Sequence, residues 1–144
     1  TSPTEEVQGL IDLVRPRLTE AGFTISYEGD AGAAMLDASR LRQALLALIE
    51  NARIHAPPGR LAIRTRLTED RVAFEVADDG PGLPDDFVPR AFGQFERAEA
   101  SKERRGSGLG LSVVKAIAVA HGGDASYRRQ DGQSTFILDL PRWH

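Results

Sequence analysis

The sequence predicts an α+β fold, a two-layer sandwich in which helices pack on one sheet. Three observations predict it. Three runs carry apolar residues at helical spacing, and glycine or proline closes them. Other runs alternate apolar and polar residues, and two pairs of these are joined by short turns. The order along the chain is mixed, with hairpins in place of alternating βαβ units, which points away from a wound parallel sheet.

Pro3, Thr4, Glu5 and Glu6 read as a helix start with acids in the first turn. Leu10, Leu13, Val14 and Leu18 follow at helical spacing, and Gly22 ends the run. "FTISYE" (Phe23–Glu28) alternates as a strand, and "GAAML" is a short second strand candidate. Asp37 is the expected N-cap of a helix from Ala38 to about His55, stopped by Pro57-Pro58-Gly59. "RLAIRTRL" (Arg60–Leu67) places Leu61, Ile63, Thr65 and Leu67 on one side, and "VAFEVAD" (Val72–Asp78) returns after "EDR" to make a hairpin. Residues 79–105 are rich in glycine, proline and charge, with one short helix expected around Phe87–Phe92. A connection of that length inside a domain is functional or disordered. The apolar helix Leu109–Ala120 comes next, and "DASYRR" and "STFILDL" close the chain as a hairpin across "QDGQ". With no repeat or internal boundary, residues 1–144 read as one domain.

The 144 residues carry a formal charge of −3, which suggests neither nucleic acid nor direct membrane contact as a partner. Cysteine is absent, so disulfides and thiolate metal sites are excluded. No apolar run reaches the ~20 residues a spanning helix needs, and the opening "TSPTEEV" has no signal-peptide pattern. The expectation is a cytoplasmic domain cut from a longer parent, which could itself carry a membrane anchor.

Three stretches carry candidate chemistry. In Ser39–Pro57 the stripe Leu41, Leu45, Leu48 and Ala52 is apolar, with Ala47, Asn51, Ile54 and His55 beside it and Glu50 and Arg53 pointing away. At the edge of a buried face the Asn51 amide needs a partner. Nearby backbone or a hard cation that prefers oxygen would supply one. In "VADDGPGLP" (Val76–Pro84) a strand ends in two carboxylates, and Gly80 and Gly82 bracket a proline. That is ordinary turn chemistry, and equally a place where a strand-end carboxylate could accept from an exocyclic amine. Gly106, Gly108 and Gly110 precede a helix, whose free N–H groups and dipole favour an anion, with Lys102, Arg104 and Arg105 nearby. The spacing is neither a Walker A loop nor the dinucleotide fingerprint, and many flexible joints share it.

In this order the stretches resemble the catalytic and ATP-binding domain of sensor histidine kinases, within the GHKL group of gyrase, Hsp90-type chaperones, histidine kinases and MutL. "LRQALLALIENARIHAP" resembles the N box and "VADDGPGLP" the G1 box. "RAFGQFERAEASKERR" resembles the F box and lid, and "GSGLGLSVVKAIAVAHGG" the G2 box. The resemblance implies the Bergerat fold, a mixed sheet covered on one face by helices, with a mobile ATP lid. It implies ATP and Mg²⁺ as cofactors. Asp78 then matches the residue that binds the adenine amino group, with Gly80, Gly82 and Leu83 around it, and Asn51 matches the Mg²⁺ ligand. His55 matches a position lying against the nucleotide. Gly106, Ser107, Gly108, Leu109, Gly110 and Leu111 match the stretch near the phosphates, and Ser134 matches a contact from the closing strand. Phe92 and Phe95 match the F box.

The sequence departs from the family pattern at Ala47, where an Asn is usual, and at Ile54, where Lys or Arg is frequent. Gln133 takes a usual glycine position. Arg53 lies ~100° around the helix from Ile54, which leaves Lys102, Arg104 and Arg105 as candidate phosphate contacts. The resemblance implies transfer of the γ-phosphate to a histidine on the dimerisation and phosphoacceptor helices of a parent kinase, which acts with a response regulator. His55, His121 and His144 lie in no acceptor motif, so the chain is expected to bind ATP without phosphorylating itself. Three rival readings are a GHKL ATPase, an anti-sigma-type serine kinase, and a pseudokinase that senses nucleotide. The first needs a water-activating Glu where Ala47 stands, and Ala47 with Ile54 motivates the last.

Overall fold

The structure is a computed structural model, and it describes residues 2–55, 57–80, 107–130 and 132–142. Helix α1 (Pro3–Glu20) starts as the acidic first turn requires, with the Ser2 side chain accepting from the Glu5 N–H. It buries Val7, Leu10, Ile11 and Leu18. Leu13, expected on that face, is 78% exposed. It sits two residues from Ile11, about 200° around the helix, and the buried stripe runs through Val7 and Ile11 instead. Gly22, at φ +90°, turns the chain into β1 (Thr24–Gly29). "GAAML" forms only an isolated bridge at Met35.

Helix α2 (Ala38–His55) begins at the expected cap, with Asp37 Oδ1 accepting from the Arg40 N–H at 3.1 Å. Strands β2 (Arg60–Leu67) and β3 (Arg71–Asp78) form the expected hairpin. Helix α3 (Ser107–Ala120) leads to β4 (Asp124–Gln130) and β5 (Gln133–Pro141). The "HGG" after α3 is a helix stop: Gly122 stands at φ +80°, and the Gly123 N–H donates back to the Ala118 carbonyl at 2.8 Å. Gly123 has a second constraint, since a Cβ there would lie 2.1 Å from the Asp139 carbonyl oxygen.

The sheet runs β1-β2-β3-β5-β4. β1 pairs parallel to β2, and the remaining pairs are antiparallel. The sheet is thus mixed, as the resemblance implies: α2 carries the chain from β1 back to the start of β2, the crossover that parallel neighbours need. Alternation buries one face, with Leu61 and Ile63 on β2, Phe74 and Val76 on β3, and Leu138 and Leu140 on β5. Leu41, Leu45 and Leu48 of α2 and Leu111 and Val114 of α3 complete the core. Helices α2 and α3 pack on each other, and α2 also packs on β3. The C-terminal ends of β3 and α2 are therefore held on one core, each with a polar residue at its edge.

Candidate functional site

Asp78 is the last residue of β3, in register with Leu61 on one neighbour and Ser134 on the other. It is 6% exposed. Its Oδ1 accepts from the Gly80 N–H at 2.7 Å, closing a tight turn at the strand end. Burial pushes the carboxyl above its ordinary range. The Gly80 bond opposes that push, the neighbouring Asp79 charge adds to it, and the Arg129 charge opposes it.

A polar row continues from Asp78 across the helix-facing side of the sheet. Ser134 pairs with Asp78 on one side and with Arg129 of β4 on the other. Arg129 Nη1 donates to the Gly80 carbonyl at 2.6 Å and to Ser134 Oγ at 2.8 Å. The Tyr127 hydroxyl donates to the same Oγ at 3.2 Å, and its ring leans on Phe136 with centroids 5.0 Å apart. Arg129 and Tyr127 went unmarked in the sequence. The available signal was their phase in "DASYRRQ", which repeats that of the buried Ala125 and turns both side chains toward the helices.

Asn51 lies in the last turns of α2 and is 7% exposed, deeper than the edge position its spacing suggested. Its Oδ1 is buried and has no hydrogen-bond partner among the described residues. Buried polar atoms are normally satisfied, so an orphaned oxygen marks a place for a donor or a cation. An amide oxygen suits a hard cation such as Mg²⁺. Ala47, one turn earlier, packs half-buried on the core and offers no polar group. Arg53 turns away as expected: its guanidinium makes a two-pronged contact with Glu50, the shortest at 2.8 Å, and Arg17 approaches the same carboxylate at 3.6 Å. The Arg53 hydrogen bond holds the Glu50 carboxyl below its usual value despite partial burial.

Helix α3 begins at Ser107, so Gly108 and Gly110 lie within its first turn and not before it. Leu111 is buried in the core. His121 is occupied at the far end, its Nδ1 on the Ile117 carbonyl at 2.9 Å and its Nε2 accepting from the Asp37 N–H at 3.4 Å. Gly82, Leu83, Phe92, Phe95, Lys102, Arg104, Arg105, Gly106 and the short helix expected at Phe87–Phe92 lie outside the described residues, as do the side chains of His55, Ser107 and Leu109. Among the described residues no helix is long and apolar enough to cross a membrane.

A family described as histidine kinase-, DNA gyrase B- and HSP90-like ATPase matches residues 36–144. A sensor histidine kinase component of Mycobacterium tuberculosis is 37% identical over 124 residues, covering 85% of this chain and 73% of that protein. The sensor histidine kinase CusS of Escherichia coli K12 is 30% identical over 140 residues, covering 95% of this chain. The chain spans 29% of the length of CusS. Among solved structures, the mycobacterial sensor histidine kinase MprB superimposes with a TM-score of 0.84 at 26% identity, covering 99% of this chain and 97% of that one. Full-length ShkA, in complex with AMPPNP, superimposes with a TM-score of 0.83 at 27% identity, over 100% of this chain and 31% of its own.

Proposed function

Because this chain belongs to the family of histidine kinase-, DNA gyrase B- and HSP90-like ATPases, and within it to the catalytic domains of sensor histidine kinases, we propose that it binds Mg-ATP and passes the γ-phosphate to a histidine on a separate dimerisation and phosphoacceptor domain. A response regulator would take the phosphate from that histidine. One observation carries the reading: a buried carboxylate, Asp78, ends a central strand with one oxygen fixed by the Gly80 N–H. A fixed, buried acceptor reads the amino group of adenine well, because a base lacking a donor there would leave it unpaired.

The division of labour follows from the elements. Asp78 accepts from the adenine amino group, and Gly80 lets the backbone approach the base. Asn51 would hold Mg²⁺ through its orphaned Oδ1. The ion, when bound, neutralises charge on the phosphates. The start of α3 offers backbone N–H groups to the phosphates, with glycines in its first turn to admit them. Lys102, Arg104 and Arg105 are the cations proposed to meet the phosphates, since Arg53 is engaged by Glu50. Ala47 supplies no acid to activate water, and the Glu50 carboxylate is taken by Arg53 and Arg17. Both facts support transfer over hydrolysis.

Calorimetry with ADP and ATP, with and without Mg²⁺, on this chain and on Asp78→Asn tests the reading. Binding that falls sharply in the variant is expected, and equal affinity in both would sink the adenine assignment. The engagement of Arg53 also favours a second reading, a nucleotide sensor that does not transfer phosphate. If the parent's helical domain gains no phosphohistidine from a chain that does bind ATP, the second reading holds.

A further inference from the structure

We propose that Arg129 is a positioning residue for base recognition: it clamps the Asp78–Gly80 turn so that Asp78 presents its carboxylate to an exocyclic amine. The inference rests on the nucleotide reading above and adds a residue to it. The geometry is specific. One guanidinium nitrogen of Arg129 bridges the Gly80 carbonyl at 2.6 Å and Ser134 Oγ at 2.8 Å, tying β4 to a turn 49 residues away. Gly80 therefore works in two directions. Its N–H donates to Asp78, and its carbonyl is held by Arg129. A glycine turn with both groups engaged cannot swing the carboxylate out of the strand end without breaking a charge-assisted bond.

Charge gives Arg129 a second effect on the same group. Among the described residues, the charged groups acting on Asp78 are Asp79, which follows it, and Arg129. The neighbours in register, Leu61 on β2 and Ser134 on β5, are uncharged, and so is Asn51 on α2. The side chain of His55, also on α2, lies outside the described residues. Arg129 is thus the described cation that offsets the burial and the Asp79 charge, both of which favour a protonated Asp78. A protonated carboxyl loses acceptor capacity for the amine.

The test compares ADP with inosine diphosphate, which carries an oxygen where ADP carries the amino group, by calorimetry from acid to neutral pH. In Arg129→Gln the ADP Kd should rise about tenfold, while the weak Kd for inosine diphosphate should move less than about twofold. The acid-side loss of ADP affinity should shift to higher pH, since the offsetting charge is gone. Arg129→Lys keeps the charge, so its acid limb should stay near wild type and part of the affinity should return. Thermal unfolding of both variants checks that they are folded. Equal losses for both nucleotides with an unmoved acid limb would reduce Arg129 to a structural strut and overturn the proposal. ADP binding that responds to Asp78→Asn but not to Arg129→Gln would also overturn it, leaving the nucleotide reading intact. Absence of ADP binding by the wild-type chain would remove both.

Discussion

The C-terminal ends of β3 and of α2 treat their buried polar groups in opposite ways. At the end of β3, Asp78, Gly80, Ser134, Arg129 and Tyr127 bond to one another across three strands. At the end of α2, Asn51 keeps an oxygen with no partner among the described residues, and the nearby charges Arg53 and Glu50 bond to each other. The first arrangement is preorganised: its groups are held before any ligand arrives, so little ordering is left for binding. The second is incomplete, and an unsatisfied buried oxygen costs about 1–3 kcal/mol. A ligand that completes it recovers that cost. The difference separates the two proposed tasks, a fixed reader for the base and a buried amide oxygen suited to a cation.

The largest expected effect comes from Asp78→Asn. Losing the charged acceptor should weaken ADP by about a hundredfold in calorimetry. The same variant should not lose stability. Burial raises the Asp78 carboxyl in the folded chain, so folding favours the protonated form. That favourable contribution is fully present below about pH 4, the ordinary range of an aspartate, and is lost as pH rises through the folded value. Asn is neutral at every pH. Melting temperatures of the two chains should therefore coincide in acid and separate at neutral pH, with the variant higher. A variant that melts lower at neutral pH would mean that the carboxylate, and not its turn, holds the strand end.

Asn51→Ala comes next and probes the open end. Added Mg²⁺ should tighten ADP by about tenfold in the wild-type chain and by about onefold in the variant. Stability should stay within about 1 kcal/mol, because the unsatisfied oxygen leaves with the side chain and alanine favours the helix. A loss of several kcal/mol on chemical unfolding would show that Asn51 is internally bonded, and the contrast between the two ends would collapse. Ser134→Ala should do less. It removes an acceptor shared by Arg129 and Tyr127, for about 1 kcal/mol of stability and a few-fold loss of ADP affinity at most.

The two ends were also unequally legible in the sequence. β2 and β3 could be read from strict alternation, and α2 from Asp37 before it and Pro57-Pro58 after it, because local chemistry sets those boundaries. Asn51 and Asp78 stood out for the same reason: a polar residue at the margin of an apolar pattern needs an explanation. The clamp on Asp78 was not legible. Arg129 meets Gly80 only because β5 lies between β3 and β4, and strand order is a property of the whole sheet. A mixed sheet was implied by the resemblance, but alternation defines a strand and not its direction, so the residues alone did not assign the parallel pair to β1 and β2. Leu13 misled because a leucine at helical spacing implies burial, yet a globular surface is more than half apolar in atoms.

The smallest expected effect belongs to the pair beside Asn51. Arg53 and Glu50 are each 36% exposed, so solvent screens their attraction, and exposed pairs of this kind contribute roughly 0.2–1 kcal/mol. The Glu50 carboxyl is held low chiefly by the Arg53 hydrogen bond, so its contribution is present at neutral pH and fades as pH falls through the folded value. Glu50→Gln should flatten that small acid dependence in unfolding curves and leave ADP affinity unchanged. Arg53→Ala should do the same. It sharpens the comparison most, because Arg53 is the nearest basic residue in sequence to the frequently basic position held here by Ile54. If removing it weakened nucleotide binding several-fold, Arg53 would have to leave Glu50 for the phosphates when ligand arrives. The α2 end would then carry a cation in reserve, and the weight now placed on Lys102, Arg104 and Arg105 would fall.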